Sequence, residues 1–176
     1  MRLFIALDFV EHKDYFIKLQ EEFSKPGRYS LPKSFHLTLK FLGEVPDSNI
    51  SQIKDALSKV SFKPFSLRLN RLGVFPSLSY VRVLWVDVLP LEEVSTLQRS
   101  IDAALRGWFA PDNRFHPHIT LARVKSIADK QKFDELLNNQ VEVKTVVIES
   151  FNLIRSVLSS KGPSYELVDG FRAQDI

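Results

Sequence analysis

The sequence predicts an α+β fold of two pseudo-symmetric lobes, each a mainly antiparallel β-sheet with outer helices, and a cleft between them. Three observations carry this. The order strand–helix–strand–helix–strand occurs twice along the chain. Each half opens on an apolar strand that ends near an aspartate, Asp8 or Asp87. Each half then carries a His-x-Thr-Leu tetrapeptide at a similar offset, 28 residues after Asp8 and 31 residues after Asp87. The reading is a single bilobal domain over residues 1–176, with halves of about 1–78 and 79–176 and last strands that can cross between lobes.

The elements follow in order. RLFIALDF is rich in β-branched and aromatic residues, as a buried strand requires. Phe16, Leu19 and Phe23 then share one helix face, and Gly27 and Pro32 punctuate the exit. FHLTLKFL reads as a strand ended by Gly43. Ile50, Ile53, Leu57 and Val60 form the stripe of a second helix, and FSLRLNRLGVFP alternates as a strand up to Pro76. In the second half VRVLWVDV is a strand, and Val94, Leu97, Ile101, Leu105 and Trp108 mark a long helix. FHPHITLAR is a strand, and Phe133, Leu136 and Leu137 mark a shorter helix. VEVKTVVIESFNLIRSVL is one long strand or two short ones, SSKGPS a turn and YELVDGF the last strand.

Composition narrows the chemistry. The chain has 176 residues, 44% hydrophobic and 26% charged, with a net charge of +3 and a pI near 9.1. A mild basic excess favours an anionic partner. With no cysteine, disulfides, thiolate zinc sites and cysteine nucleophiles are excluded. No apolar run is long enough to span a bilayer, and Asp8 interrupts the N-terminal stretch as a strand rather than a signal peptide. A cytoplasmic monomer that binds no membrane is the expectation.

Of the four histidines, His36 and His118 begin HLTL and HITL. Strand alternation puts His36 with Thr38, and His118 with Thr120, on one face, while the intervening leucines and isoleucine anchor the strand. Two facing strands of this kind present two imidazoles and two hydroxyls to one cleft. One imidazole can accept a proton while the other donates one. The hydroxyls can hold the non-bridging oxygens of a phosphate. These parts suffice to open a cyclic phosphate, with no cofactor or metal. A lone HxT strand is more often an ordinary strand with a hydrogen-bonded histidine, so the pairing carries the argument. His116 and His118 form an HxH pair that could suggest a metal, but no cysteine or obvious carboxylate partner accompanies it. His12 sits at a helix start and is expected to be exposed.

The pieces RLFIALDF, HLTLKFLGEV, VLWVDV, FHPHITLAR and SFNLIRSVLSSKGPSYELV together resemble the two-histidine phosphoesterase superfamily. The branch they resemble is the bacterial and archaeal RNA 2′,3′-cyclic phosphodiesterases, also called 2′-5′ RNA ligases. The resemblance spans nearly the whole chain. It implies hydrolysis of RNA 2′,3′-cyclic phosphate ends to 2′-phosphates, and ATP-independent, reversible 2′-5′ ligation. The implied partner is RNA with a cyclic phosphate end or a 2′-5′ linkage, tRNA-derived ends among the candidates. By the same resemblance His36 is the proton donor, His118 the proton acceptor, and Thr38 and Thr120 hold the phosphate. Arg123 matches a substrate-binding arginine and Phe41 an aromatic that stacks on a base. Strict alternation, however, puts both on the face away from the histidines, unless the strands bend or twist there or the two residues act from the strand ends. Lys33, Lys40, Arg155 and Lys161 are candidates for a basic track, and Ser156 and Tyr165 for the border of the cleft. The competing readings are a phosphodiesterase for a small-molecule cyclic phosphate, a non-catalytic RNA-end binding module and, more weakly, a metal-dependent esterase.

Overall fold

Residues Leu3 to Leu7 are all buried because strand β1 (Arg2–Asp8) has a covered layer on each face. Leu3, Ile5 and Leu7 enter the main apolar core, while Phe4 and Ala6 face the other way. The structure, a computed structural model, describes residues 1–160 and 162–174. Lys161, a candidate for the basic track, lies outside the described residues.

The remaining elements are α1 (Lys13–Phe23), β2 (Gly27–Ser30), β3 (His36–Glu44), α2 (Asp47–Leu57), β4 (Phe65–Ser77), β5 (Tyr80–Leu89), α3 (Leu91–Ala104), β6 (His118–Ile127), α4 (Lys130–Leu137), β7 (Thr145–Ile148), β8 (Ser150–Ser159) and β9 (Gly162–Arg172). Among the described residues the nine strands form one sheet in the order β7-β4-β5-β6-β3-β1-β8-β9, with β2 added beside β6. Every pairing is antiparallel. The protein is therefore α+β, built on a curled antiparallel sheet.

The sheet is pinched in the middle. β3 and β6 meet through one register pair, Leu37 with Ile119, whereas β1–β3 and β5–β6 pair along their length. One side of the pinch holds β4, β5, β6 and β7, the other β1, β3, β8 and β9. The expected division near residue 78 falls inside the β4–β5 hairpin, where Ser77 pairs with Tyr80. The halves also exchange strands. β4 closes the first half of the sequence but pairs with β5 of the second, and β8 of the second half pairs with β1 of the first. The segment that could be one strand or two is two: β7 and β8, separated by Glu149, join opposite sides of the sheet.

The helices repeat the exchange. α1 packs beneath β6, and its buried Gln20 donates to Leu121 O at 2.8 Å and to Pro32 O at 2.9 Å. α3 packs beneath β3, and its Asp102 takes the Lys40 ammonium in a buried ion pair. Lys40 also donates to Ala110 O at 2.8 Å. Asp102 further accepts from Gln98 at 2.7 Å and from the Asp112 N–H at 2.8 Å. Burial works to raise the Asp102 carboxyl, but these hydrogen bonds, Lys40 foremost, hold it below its ordinary value.

Some expectations are corrected here. Lys40 cannot serve a basic track, because it is 5% exposed and spent on Asp102 and Ala110. The long helix stops at Ala104, before Gly107, so Trp108 leaves the apolar face and is 40% exposed. The strand read from Phe115 begins at His118. His12 is half-buried as the N-cap residue of α1, and its Nε2 lies 2.9 Å from Thr145 O. β2 had no sequence signal beyond its first residue, Gly27, and Pro32 after it.

Candidate active site

The two HxT strands carry the same irregularity at the same place. Along β3 the residues opposite β1 run Asp8–His36, Leu7–Leu37, Ala6–Thr38 and then Ile5–Lys40. Along β6 those opposite β5 run Asp87–His118, Val86–Ile119, Trp85–Thr120 and then Leu84–Ala122. Each strand thus takes up one extra residue, Leu39 or Leu121, directly after its threonine. The burial patterns match: half-buried His and Thr, then two successive buried residues, then an exposed Phe41 or Arg123. Such a bulge reverses the alternation beyond it. That resolves the parity problem, since Phe41 and Arg123 return to the face of His36 and His118.

A cleft of about 540 Å³ lies over this face, lined by His36, Thr38, Phe41, His118, Thr120 and Arg123 among others. All six candidate site residues thus come together. Ser156 and Tyr165 also line it, while Lys33 and Arg155 do not. Arg155 pairs with Glu166 at 3.4 Å.

The two rings are held differently. His36 has Phe4 at 4.9 Å and Tyr165 at 5.2 Å between ring centroids. His118 has Phe75 edge-to-face at 4.9 Å and Trp85 at 6.3 Å. The Trp85 indole lies where a Cβ on Gly73 would be 2.0 Å from it, so only glycine lets it lie over β4. The other ring of the HxH pair, His116, packs against Trp85 at 4.9 Å and Phe75 at 5.4 Å.

His118 Nδ1 lies 2.7 Å from the His116 carbonyl. A carbonyl only accepts, so Nδ1 carries the proton, and in the neutral ring Nε2 keeps its lone pair. Among the described residues no protein group hydrogen-bonds to the His36 nitrogens or to the Thr38 and Thr120 hydroxyls. Burial pushes His36 down to about 4, with His118 adding to the drop and Asp8 opposing it. Burial also lowers His118; the His116 carbonyl opposes this, and His116 and Arg123 reinforce it. Both shifts favour the neutral rings at pH 7. An anionic phosphate between them would favour their charged forms.

From sequence, Phe4 and Phe75 read only as strand residues. Their role in packing the histidines becomes visible once the registers are known, because Phe4 shares the face of Ala6 and Asp8. Arg2, on the same strand, also reaches the cleft.

The LigT-like phosphoesterase family profile matches the chain twice, over residues 9–85 and 88–165. A protein of Methanothermobacter thermautotrophicus named RNA 2′,3′-cyclic phosphodiesterase is 32% identical over 98% of both chains. One of the same name from Methanocaldococcus jannaschii is 31% identical over 96% of this chain and 98% of its own. Among solved structures, a Thermus thermophilus protein superposes with a TM-score of 0.76 and 28% identity, covering 98% of this chain and 97% of its own. E. coli LigT complexed with 3′-AMP superposes with a TM-score of 0.80 and 23% identity, covering 99% and 98%, a likeness of fold.

Proposed function

The chain belongs to the LigT-like phosphoesterase family, and from that premise we propose that it hydrolyses RNA 2′,3′-cyclic phosphate ends to 2′-phosphomonoesters. His36 is the acid and His118 the base. Thr38 and Thr120 hold the non-bridging oxygens, Arg123 binds the substrate, and Phe41 stacks on a base.

One observation carries the reading: two HxT strands in matched register present His36 and His118 to a single cleft, with His118 Nδ1 committed to the His116 carbonyl. Water attacks phosphorus as His118 Nε2 takes its proton. The bond from phosphorus to O3′ breaks, and O3′ takes a proton from His36. The threonine hydroxyls meet the charge that builds on the equatorial oxygens. The products are a 2′-phosphate and a free 3′-hydroxyl, and solvent then returns a proton to His36 and removes one from His118. An RNA 5′-hydroxyl in place of water gives a 2′-5′ linkage by the same steps, and the reverse reaction cleaves it. Both halves of the site come from one chain, which supports a monomer. Among the described residues no helix is long and apolar enough to cross a membrane. This reading puts the enzyme in the cytoplasm with its RNA, tRNA-derived ends included.

The test is a short RNA ending in a 2′,3′-cyclic phosphate, incubated with the protein in EDTA. The expected product is a 2′-phosphate, and His36→Ala and His118→Ala should each cost at least about 10²–10⁴-fold in turnover. A 3′-phosphate product reverses the assigned leaving oxygen. Near-wild-type turnover by either variant refutes the mechanism. A strong preference for a small cyclic phosphate over the RNA replaces the substrate.

A further inference from the structure

The pseudo-symmetric site contains a second matched pair that the mechanism has not used. Asp8 stands opposite His36 across β1–β3, and Asp87 stands opposite His118 across β5–β6. Residues in direct register share a sheet face. Each histidine therefore has an aspartate beside it on the cleft face, but the two carboxylates are in different states. Asp8 is exposed and accepts one hydrogen bond, from the Val10 N–H at 2.9 Å. No ion pair engages it among the described residues. Asp87 is 6% exposed and fully committed. Its Oδ1 accepts from Asn70 Nδ2 at 3.0 Å and the Arg71 N–H at 2.9 Å, and its Oδ2 pairs with Arg71 Nε at 3.2 Å.

We propose that Asp8 is a positioning residue that reserves the acid's role for His36, while Arg71 and Asn70 withhold the equivalent Asp87 from His118. This rests on the two-histidine reading and deepens it: the same scaffold, used twice, becomes an acid on one side and a base on the other. The charges around each ring agree. His36 faces the Asp8 carboxylate from β1, His118 across the cleft and the Tyr165 ring from β9. His118 faces His116 and the Arg123 cation, and its own aspartate is neutralised by Arg71. The Asp8 carboxylate thus works toward the imidazolium of His36, against the pull of burial, and the Arg123 cation works against that of His118, which suits a proton donor and a proton acceptor respectively.

The test follows both imidazoles by NMR titration in the full-length protein. Asp8→Asn keeps an oxygen for the Val10 N–H and removes the charge, whereas Asp8→Glu keeps the charge. Asp8→Asn should lower the His36 pKa by about one unit and leave His118 in place. Asp8→Glu should hold His36 near its wild-type value, which a purely structural turn-capping role would not predict. Arg71→Ala, at a side chain 71% exposed, should raise the His118 pKa and leave His36 in place. A His36 pKa indifferent to Asp8→Asn, or a His118 pKa indifferent to Arg71→Ala, overturns the proposal whatever the enzyme's substrate. In turnover of the cyclic phosphate, Asp8→Asn should move the alkaline limb of kcat/KM down by the same unit. Above the alkaline limb of kcat itself, which reports the complex, it should lower kcat about tenfold with little change in KM. A shifted His36 with an unshifted limb overturns the assignment of His36 as acid and leaves the two-histidine chemistry to the histidine variants.

Discussion

The two lobes border the cleft with strands of one design, β3 and β6, and differ at almost every residue around them. Histidine, threonine, bulge and register partner coincide. Past the bulge, β3 continues with Lys40 and Phe41, and β6 with Ala122 and Arg123. One ring sits among Phe4 and Tyr165 and the other among Phe75 and Trp85. Symmetry builds the cleft, since two like strands meeting at one register pair leave their histidine faces opposed. In the proposed reaction the asymmetry would distribute the work, because an acid and a base are best served by different environments.

The sharpest way to break the comparison is at Lys40, whose counterpart Ala122 is a small apolar residue in the core. Lys40 binds β3 to Asp102 of α3 and to the loop ahead of β6, the loop that also supplies the His116 carbonyl. Lys40→Met leaves the Asp102 carboxylate buried without its cation and should destabilise the fold by about 3–5 kcal/mol in urea unfolding. Adding Asp102→Leu should recover most of the loss, because the orphaned charge is then gone. A single mutant within about 1 kcal/mol of wild type, on the order of an exposed pair, would mean that water reaches the carboxylate.

Much of this difference was legible in the chain, and the unreadable parts have a common cause. The two HxT motifs, their aspartates and the order of the main strands follow from local periodicity, and the structure brings all six candidate site residues to one cleft. Two facts escaped because they depend on pairing. The bulges at Leu39 and Leu121 leave no mark in HLTLKF or HITLAR, yet they decide which face Phe41 and Arg123 take. The exchange of β4, unlike the crossing allowed for the last strands, is a long-range choice that strand patterning does not encode. Lys40 illustrates the consequence: its charge suggested a surface, and the reversed parity after the bulge sends it inward to Asp102.

The next difference lies in how strongly burial acts on the His36 ring. Its folded pKa, about 4, lies below the ordinary 6.5, so the unfolded chain binds the extra proton between these values. The contribution is complete above pH 6.5 and is lost as pH falls toward 4, about 3 kcal/mol in all. His118, also lowered, adds a loss in the same direction. His36→Asn should remove the His36 share, so its stability should fall less between pH 6.5 and 4 than that of the wild type. Parallel curves for the two proteins would mean that His36 titrates near its ordinary value when folded.

The smallest effects should separate Phe41 from Arg123, which occupy matching positions past the two bulges. Phe41 is 74% exposed, too open for a core role, and its ring is 6.1 Å from that of Phe4 at the cleft mouth. A base stacked on it would contribute about 1–3 kcal/mol without regard to sequence. Phe41→Ala should therefore raise KM roughly tenfold for a mononucleotide cyclic phosphate and an oligonucleotide alike, with an unchanged salt dependence. Arg123 presents charge instead of a π-face, and its contact would be with phosphate. Arg123→Ala should weaken binding at low salt most and reduce the slope of log affinity against log salt by about one. The distinction is in the salt axis: two variants with the same slope change would make the positions equivalent, and the aromatic arm and the cationic arm of the cleft would no longer be separate sites.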